Sequence, residues 1–331
     1  MKDRLNDFLS SCSEIDFGSI DLSGREREFY KGFNHEIITL CDSLPESIQT
    51  DALLFFINYS GLSIGHKLNF FKNYYVPSWS IIYWLIYSER ENRRLTKEDI
   101  KNVKTAHSMA MILHSLDDHI NDKEIPASHL TLLLRSQSWM IMNNTFTVLT
   151  DSIDGGYKIV QGFIDNYYSS IHDPEETGSL DSYCDLFRKQ MATWLIVPVL
   201  IIKKSTANEA FINAIQSAYG SFGIAWRLLD DIRDIEADMM KGTHSSIYIC
   251  LSEKEKNLWD RDTKEKKRGN SRCARIILDY VLENSIIERI KERICSELES
   301  AVSISVRYNM TNLANQFYSL LKPLKNGQAP L

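Results

Sequence analysis

Two acidic stretches decide how this chain folds. The first is Asp117-Asp118-His119-Ile120-Asn121-Asp122; the second is Asp230-Asp231-Ile232-Arg233-Asp234, continued by Ile235-Glu236-Ala237-Asp238. Each grows out of a largely apolar run. Ala106-His107-Ser108-Met109-Ala110-Met111-Ile112-Leu113 leads into the first, and Tyr219-Gly220-Ser221-Phe222-Gly223-Ile224-Ala225-Trp226 into the second. On a helix, residues four apart share a face. Asp118 therefore stacks with Asp122, Asp117 with Asn121, and Asp230 with Asp234 and Asp238. Like charges at that spacing destabilise a helix. A stack of uncompensated carboxylates needs a cation, and all-oxygen ligands select hard Mg²⁺. Because Mg²⁺ completes its shell with waters and phosphate oxygens, a diphosphate is the natural third party. A solvated acidic face is the alternative for either cluster alone, but such a face seldom continues a buried one on the same helix.

Outward from these stretches, apolar residues recur at three- and four-residue spacing, with hardly any period-two alternation. The expected fold is all-α, a single large helical bundle. Helices are expected at about 24–43, 46–59, 66–75, 78–90, 96–121, 127–152, 156–171, 179–203, 206–241, 244–252, 262–282 and 284–322. Thr96, followed by Glu98 and Asp99, is a helix start. Asp154-Gly155-Gly156 and His172-Asp173-Pro174 are loops, and Pro198 is expected to kink its helix. The charge-dense stretch from Glu253 to Arg272 reads as a solvated loop or helix end, with a basic patch over the site as the alternative. In bundles, sites are built from side chains on facing helices. Setting helix 96–121 opposite helix 206–241 places the clusters across one cavity.

Composition narrows the function classes. The chain has 331 residues, 44% hydrophobic and 25% charged, with a formal net charge of −6. That acidity argues against a nucleic-acid partner, which calls for a basic face. The six cysteines show no Cys-x-x-Cys spacing, so neither a zinc site nor a disulfide framework is expected. Reduced thiols, no secretory signal after Met1-Lys2-Asp3-Arg4-Leu5 and no apolar run long enough to span a bilayer lead to a soluble, cytoplasmic expectation.

Together the two clusters resemble the aspartate-rich motifs of the class I isoprenoid synthases, in particular the trans-isoprenyl diphosphate synthases, or polyprenyl synthetases. Asp230, Asp231, Asp234 and Asp238 match the second motif, and Lys241-Gly242 stands where that family has Gly-Lys in reversed order. Asp117, Asp118 and Asp122 are available as ligands in the first motif, with Asn121 displacing the usual spacing. The resemblance covers about 78–252. It implies one isoprenoid synthase-like domain over 1–331 with a central active-site cavity: N-terminal helices in 1–65, a catalytic core in 78–252 and C-terminal helices in 253–331. It also implies a cluster of three Mg²⁺ ions bridging a prenyl diphosphate, and it admits a homodimer.

The departures carry equal information. The arginine pair that elongating members place after the first motif is replaced by Lys123-Glu124-Ile125-Pro126. Their upstream histidine or glutamine corresponds to Ala110 or Met111, and their Gly-Lys-Arg segment is only echoed by Gly65-His66-Lys67. Those are the groups that hold isopentenyl diphosphate. The resemblance therefore implies ionisation of an allylic prenyl diphosphate and transfer of the prenyl group to a different, non-isoprenoid acceptor. Terpene cyclases are the competing kin. Their second motif carries Ser or Thr and then Glu where this chain has Asp234 and Asp238, and Arg188 and Arg307-Tyr308 stand near their diphosphate-sensing arginine and late Arg-Tyr pair. An inactive scaffold or partner subunit is the third reading. Arg188, Lys189 or Lys241 would donate to diphosphate oxygens, or else each is a surface charge. His114 is a proton acceptor or a core histidine. The prenyl tail is expected along Met111, Phe222 and Trp226, whose aromatic members are otherwise plain core.

Overall fold

The computed structural model describes residues 2–60, 76–87, 95–172, 177–264 and 271–326. Among them there are sixteen helices and no strand. In chain order these are α1 (Lys2–Glu14), α2 (Gly24–Asp42), α3 (Glu46–Tyr59), α4 (Val76–Tyr87), α5 (Lys97–Asn121), α6 (His129–Thr150), α7 (Gly156–His172) and α8 (Leu180–Gln190). They continue as α9 (Ala192–Ser205), α10 (Glu209–Arg233), α11 (Ile235–Lys241), α12 (Ser246–Cys250), α13 (Glu253–Lys264), α14 (Ser271–Glu283), α15 (Ile286–Arg307) and α16 (Thr311–Asn326).

Two of these helices are apolar all round, as central helices must be. In α4 only Trp84 and Tyr87 escape full burial, and in α9 only Lys203 and Lys204 do. α9 packs against α4, α5, α7 and α10, while α10 packs on α15, and α15 on α16. One continuous hydrophobic core results, from Cys12 to Leu324. The start of α5 is a capping box: Thr96 Oγ1 accepts from Asp99 N at 3.1 Å, and Asp99 Oδ2 accepts from Thr96 N at 2.8 Å. All six cysteines are free thiols, and no described helix is long and apolar enough to cross a membrane.

Several expected helices are divided. The one expected at 179–203 breaks at Met191, not at Pro198, which α9 passes through. Proline removes one helical hydrogen bond, a loss that packing against four neighbouring helices offsets. Met191 turns toward Gly223 of α10, where an added Cβ would lie 2.0 Å from its sulfur. The helix expected at 206–241 breaks at Asp234, and the one at 284–322 divides at Asn309, whose φ is 58°. The acidic and basic stretch from Glu253 is helical in α13, because Trp259 drives one face into the core at 1% exposure. α1 had no counterpart in the sequence pattern. The helix expected at 66–75, the Gly65-His66-Lys67 segment and Asp173-Pro174 lie outside the described residues.

Candidate active site

The site is built up from a shared floor. His107 Nε2 of α5 donates to the Ser78 carbonyl of α4 at 2.8 Å, and Tyr219 Oη of α10 donates to the same oxygen at 3.3 Å. α5 and α10 rise from there to their C-terminal ends, which carry the two acidic clusters. A helix C-terminus adds its own partial negative charge, so both walls are electronegative before any side chain is counted.

Between the walls lie two adjoining lobes, of about 260 and 340 Å³. Both are lined by His114, Asp118, Asp122, Trp226, Arg227 and Thr243. The smaller adds Tyr59, Met111, Trp194, Asp230, Asp234, Asp238 and Lys241. The larger adds Asp117, Asn121, Tyr167, Tyr183, Gln190 and His244. The break at Asp234 leaves the second stripe intact, because the backbone continues the ladder: Asp234 N donates to Asp230 O at 2.9 Å and Asp238 N to Asp234 O at 2.8 Å.

The carboxylates fall into two groups. Asp117 is neutralised by Arg135, whose Nε and Nη2 reach its oxygens at 2.6 and 3.1 Å, and Tyr167 Oη adds a bond at 3.4 Å. Asp231 is fully buried and bonded to Tyr183 Oη and Ser246 N at 2.9 Å each and to Arg227 Nε at 3.1 Å. Both were expected among the metal ligands. Each already accepts three bonds of the roughly four a carboxylate can take, in holding α6, α7, α8 and α12 to the walls.

Asp118, Asp122, Asp230, Asp234 and Asp238 form no ion pair among the described residues. Burial pushes the Asp230 carboxyl up to about 6, with Asp234, Asp231 and Asp118 adding to the rise against the pull of Arg227. Burial also pushes Asp238 to about 7, reinforced by Asp231, and raises Asp122 together with Asp118. Crowded, half-buried carboxylates that outnumber the nearby cations and form no ion pair among the described residues fit a hard divalent ion. Among the described residues no three His, Cys, Asp or Glu side chains converge closely enough to form a metal cluster on their own, so an ion held by one or two of these carboxylates completes its shell with waters or phosphate oxygens.

No family model matches the sequence, and no curated protein matches it. Solved structures do. A geranylgeranyl pyrophosphate synthase from Corynebacterium glutamicum superposes with a TM-score of 0.66 over 98% of this chain and 99% of its own, at 13% identity. A polyprenyl synthase from Caulobacter crescentus, complexed with calcium and isoprenyl diphosphate, gives 0.61 over 88% and 95% at 12% identity. A geranylgeranyl pyrophosphate synthetase from Pyrococcus horikoshii gives 0.59 over 97% and 98%, also at 12%. The chain has the isoprenoid synthase fold.

Within that fold, several expected site residues stand elsewhere. Tyr308 stacks on Phe211 and donates to the Ala210 carbonyl at 3.1 Å. That is the opposite end of α10 from Asp230, about 30 Å away at 1.5 Å per residue. Arg307 is exposed beside it. Arg188 is held by Asp185 at 2.5 Å and Glu297 at 3.0 Å, and Lys189 is exposed; neither lines a lobe. Phe222 is core, tilted against Phe317 of α16 at 5.9 Å. Met111, His114 and Trp226 do line the cavity.

Lys241 also lines the smaller lobe, with its Nζ 2.9 Å from Glu124 Oε1. That contact ties α11 to the loop after α5. Several lining residues escaped the sequence reading, among them Tyr59, Tyr167, Tyr183, Trp194 and Arg227. Trp194 packs edge-on against His114 at 4.8 Å; it was hidden inside a uniformly apolar run. The signal for Arg227 was a lone arginine on an apolar helix three residues ahead of Asp230.

Proposed function

We propose that this protein binds an allylic prenyl diphosphate between the two acidic walls through Mg²⁺, ionises it and passes the prenyl group to an acceptor other than isopentenyl diphosphate. The observation that carries this is the set of five lining aspartates without an ion-pair partner among the described residues, on the ends of α5 and α10 and on α11, in a fold shared with polyprenyl synthases. Asp118 and Asp122 would hold the metal from one wall, and Asp230, Asp234 and Asp238 from the other. Bound Mg²⁺ supplies neutralisation of the charge that develops on the departing diphosphate. Met111, Trp194 and Trp226 exclude water from the reacting carbon, and the indole faces favour a nearby cation. His114 Nδ1 is buried without a hydrogen-bond partner, and burial lowers its pKa. The ring lines both lobes in its neutral form, the form a proton acceptor requires.

The acceptor half of the reading rests on charge. Arg227 and Lys241 are the Lys or Arg side chains among the described residues lining the two lobes, against eight carboxylates. Glu124 stands in the stretch where an arginine pair would help hold a second diphosphate, and it has already claimed Lys241. A neutral or cationic acceptor meets no such opposition.

The test is incubation with geranyl, farnesyl and geranylgeranyl diphosphates, with Mg²⁺ or with EDTA, following released diphosphate and organic products by mass. Mg²⁺-dependent release from at least one substrate is expected. Metal-independent release, or none even when a hydroxylated or aromatic acceptor is added, would remove the proposal; release that appears only with such an acceptor would support transfer. A hydrocarbon formed without any acceptor would replace transfer by cyclisation.

A further inference from the structure

We propose that Arg227 is a cation built into the wall between the two lobes that grips the diphosphate group of the substrate directly, not through the metal. This rests on the reading of the site as a diphosphate site and adds a residue that neither the sequence motifs nor the fold brought forward.

The guanidinium is held by one edge. Its Nε donates to Tyr183 Oη at 3.0 Å and lies 3.1 Å from Asp231 Oδ1, while the Phe187 ring sits beneath its central carbon at 5.9 Å. Tyr183 and Asp231 are themselves bonded, and Asp231 is anchored by the Ser246 amide. The group is therefore locked in place before any ligand arrives. Its other edge, the two amino groups, makes no hydrogen bond among the described residues. Arg227 lines both lobes, and its side chain keeps 23% of its accessible surface. Four N–H donors in a planar fork are thus left for an anion, the geometry in which arginine takes phosphate oxygens in pairs.

Position and charge agree. Arg227 lies three residues ahead of Asp230 and seven ahead of Asp234, on the cavity face of α10. Burial works against its charge, and Asp231 and Tyr183 restore it. The other basic side chains proposed from the sequence are committed elsewhere or lie off the cavity: Arg188 to Asp185 and Glu297, Lys241 to Glu124, and Lys189 away from both lobes. A cation fixed in the wall gives the diphosphate one rigid contact while the metal shell adjusts around the rest.

The experiment is calorimetric binding of inorganic diphosphate across a series of Mg²⁺ concentrations to saturation. It compares wild type with Arg227→Gln, Arg227→Lys, the double variant Arg227→Gln/Asp231→Asn and Asp230→Ala. The double variant removes both halves of the buried pair, so folding does not hinge on a stranded carboxylate; circular dichroism checks each protein. Charge-assisted hydrogen bonds of this kind correspond to roughly 10–100-fold in affinity. Such a loss is expected in both variants carrying Gln, persisting at saturating Mg²⁺, with Arg227→Lys recovering part. In Asp230→Ala the loss should shrink as Mg²⁺ rises. A loss in Arg227→Gln that excess Mg²⁺ abolishes would mean the residue acts only by placing Asp230 and Asp231, and would overturn the proposal. So would unchanged affinity. Wild-type protein that binds no diphosphate at any Mg²⁺ concentration would overturn the function reading and this one with it.

Discussion

His107 and Tyr219 share one acceptor, the carbonyl of Ser78, and each lies eleven residues ahead of a cavity aspartate, Asp118 on α5 and Asp230 on α10. Eleven residues of helix are about 16 Å, three turns. The two walls are thus measured from a common point, and both carboxylates arrive at the same height and on the same face as their anchors. α4, apolar on every side, presents the one backbone oxygen that sets this.

The His107 anchor makes stability depend on pH in a defined direction. Unfolded, its imidazole takes a proton near pH 6.5; folded, burial holds it down to about 4, against the pull of the Ser78 carbonyl. Between those values the unfolded chain binds the proton and the folded chain does not. The histidine's contribution is complete above pH 6.5 and is lost as pH falls toward 4, by about 3 kcal/mol in all. Gln at position 107 keeps a donor and cannot titrate. Urea unfolding of wild type and His107→Gln at pH 7.5 and 4.5 should show a gap that narrows or reverses at the lower pH. A gap independent of pH would show that the buried ring is not neutral.

Neighbouring aspartates of the first cluster should behave oppositely. Asp117 is bridged to Arg135 across α5 and α6, whereas Asp118 forms no ion pair among the described residues. Asp117→Ala strands a half-buried guanidinium and should cost about 1–3 kcal/mol of stability, seen as a lower denaturation midpoint. Asp118→Ala relieves like-charge crowding, should leave the metal-free protein as stable or more so, and should lose diphosphate release by orders of magnitude. Equal melting losses in both variants would show that the distinction drawn from their partners is wrong.

The same contrast shows what the sequence could disclose. Four-residue spacing put Asp118 with Asp122 and Asp230 with Asp234 and Asp238, which all line the smaller lobe, and the apolar runs ahead of them located α5 and α10. It could not separate Asp230 from Asp231. One residue is a 100° turn on a helix, and only the tertiary arrangement puts Tyr183 and the Ser246 amide around Asp231. Phe222 and Trp226 share a helix face by spacing, yet α16 covers the first and leaves the second at the cavity. The stretch from Glu253 to Arg272 shows only Leu258 and Trp259 as large apolar residues among its charges, because the surface Trp259 packs on belongs to other helices. The Arg-Tyr pair at 307–308 fits a motif in sequence and lies at the wrong end of α10 in space.

Metal and diphosphate should stabilise the fold only together. No three side chains among the described residues converge on an ion, and the acidic walls repel a bare anion. Mg²⁺ alone and inorganic diphosphate alone should each move the melting temperature little. The two together, at about 100 times their joint dissociation constant, should add about 2.7 kcal/mol, read as a clear upward shift in scanning calorimetry. A full shift from Mg²⁺ alone would point to a preformed ion site and away from a substrate-completed one.

Isopentenyl diphosphate should not be an acceptor. Elongation needs two diphosphates in the cavity at once, and the second finds no uncommitted cation among the described lining residues. Arg227 faces the first diphosphate, Lys241 is paired with Glu124, and Glu124 itself adds negative charge at the rim. Lys123, the other basic residue of that stretch, is exposed, with a φ of 60°, and lines neither lobe. Incubating the protein with isopentenyl diphosphate, each allylic diphosphate and Mg²⁺ should give no product longer than the allylic substrate. Glu124→Arg supplies the missing charge and frees Lys241. If charge is what excludes the second diphosphate, this variant should show measurable elongation where the wild type shows none. Efficient elongation by the wild type would mean that residues beyond those described, Lys67 among them, complete an acceptor site, and the proposed transfer to a different acceptor would fall.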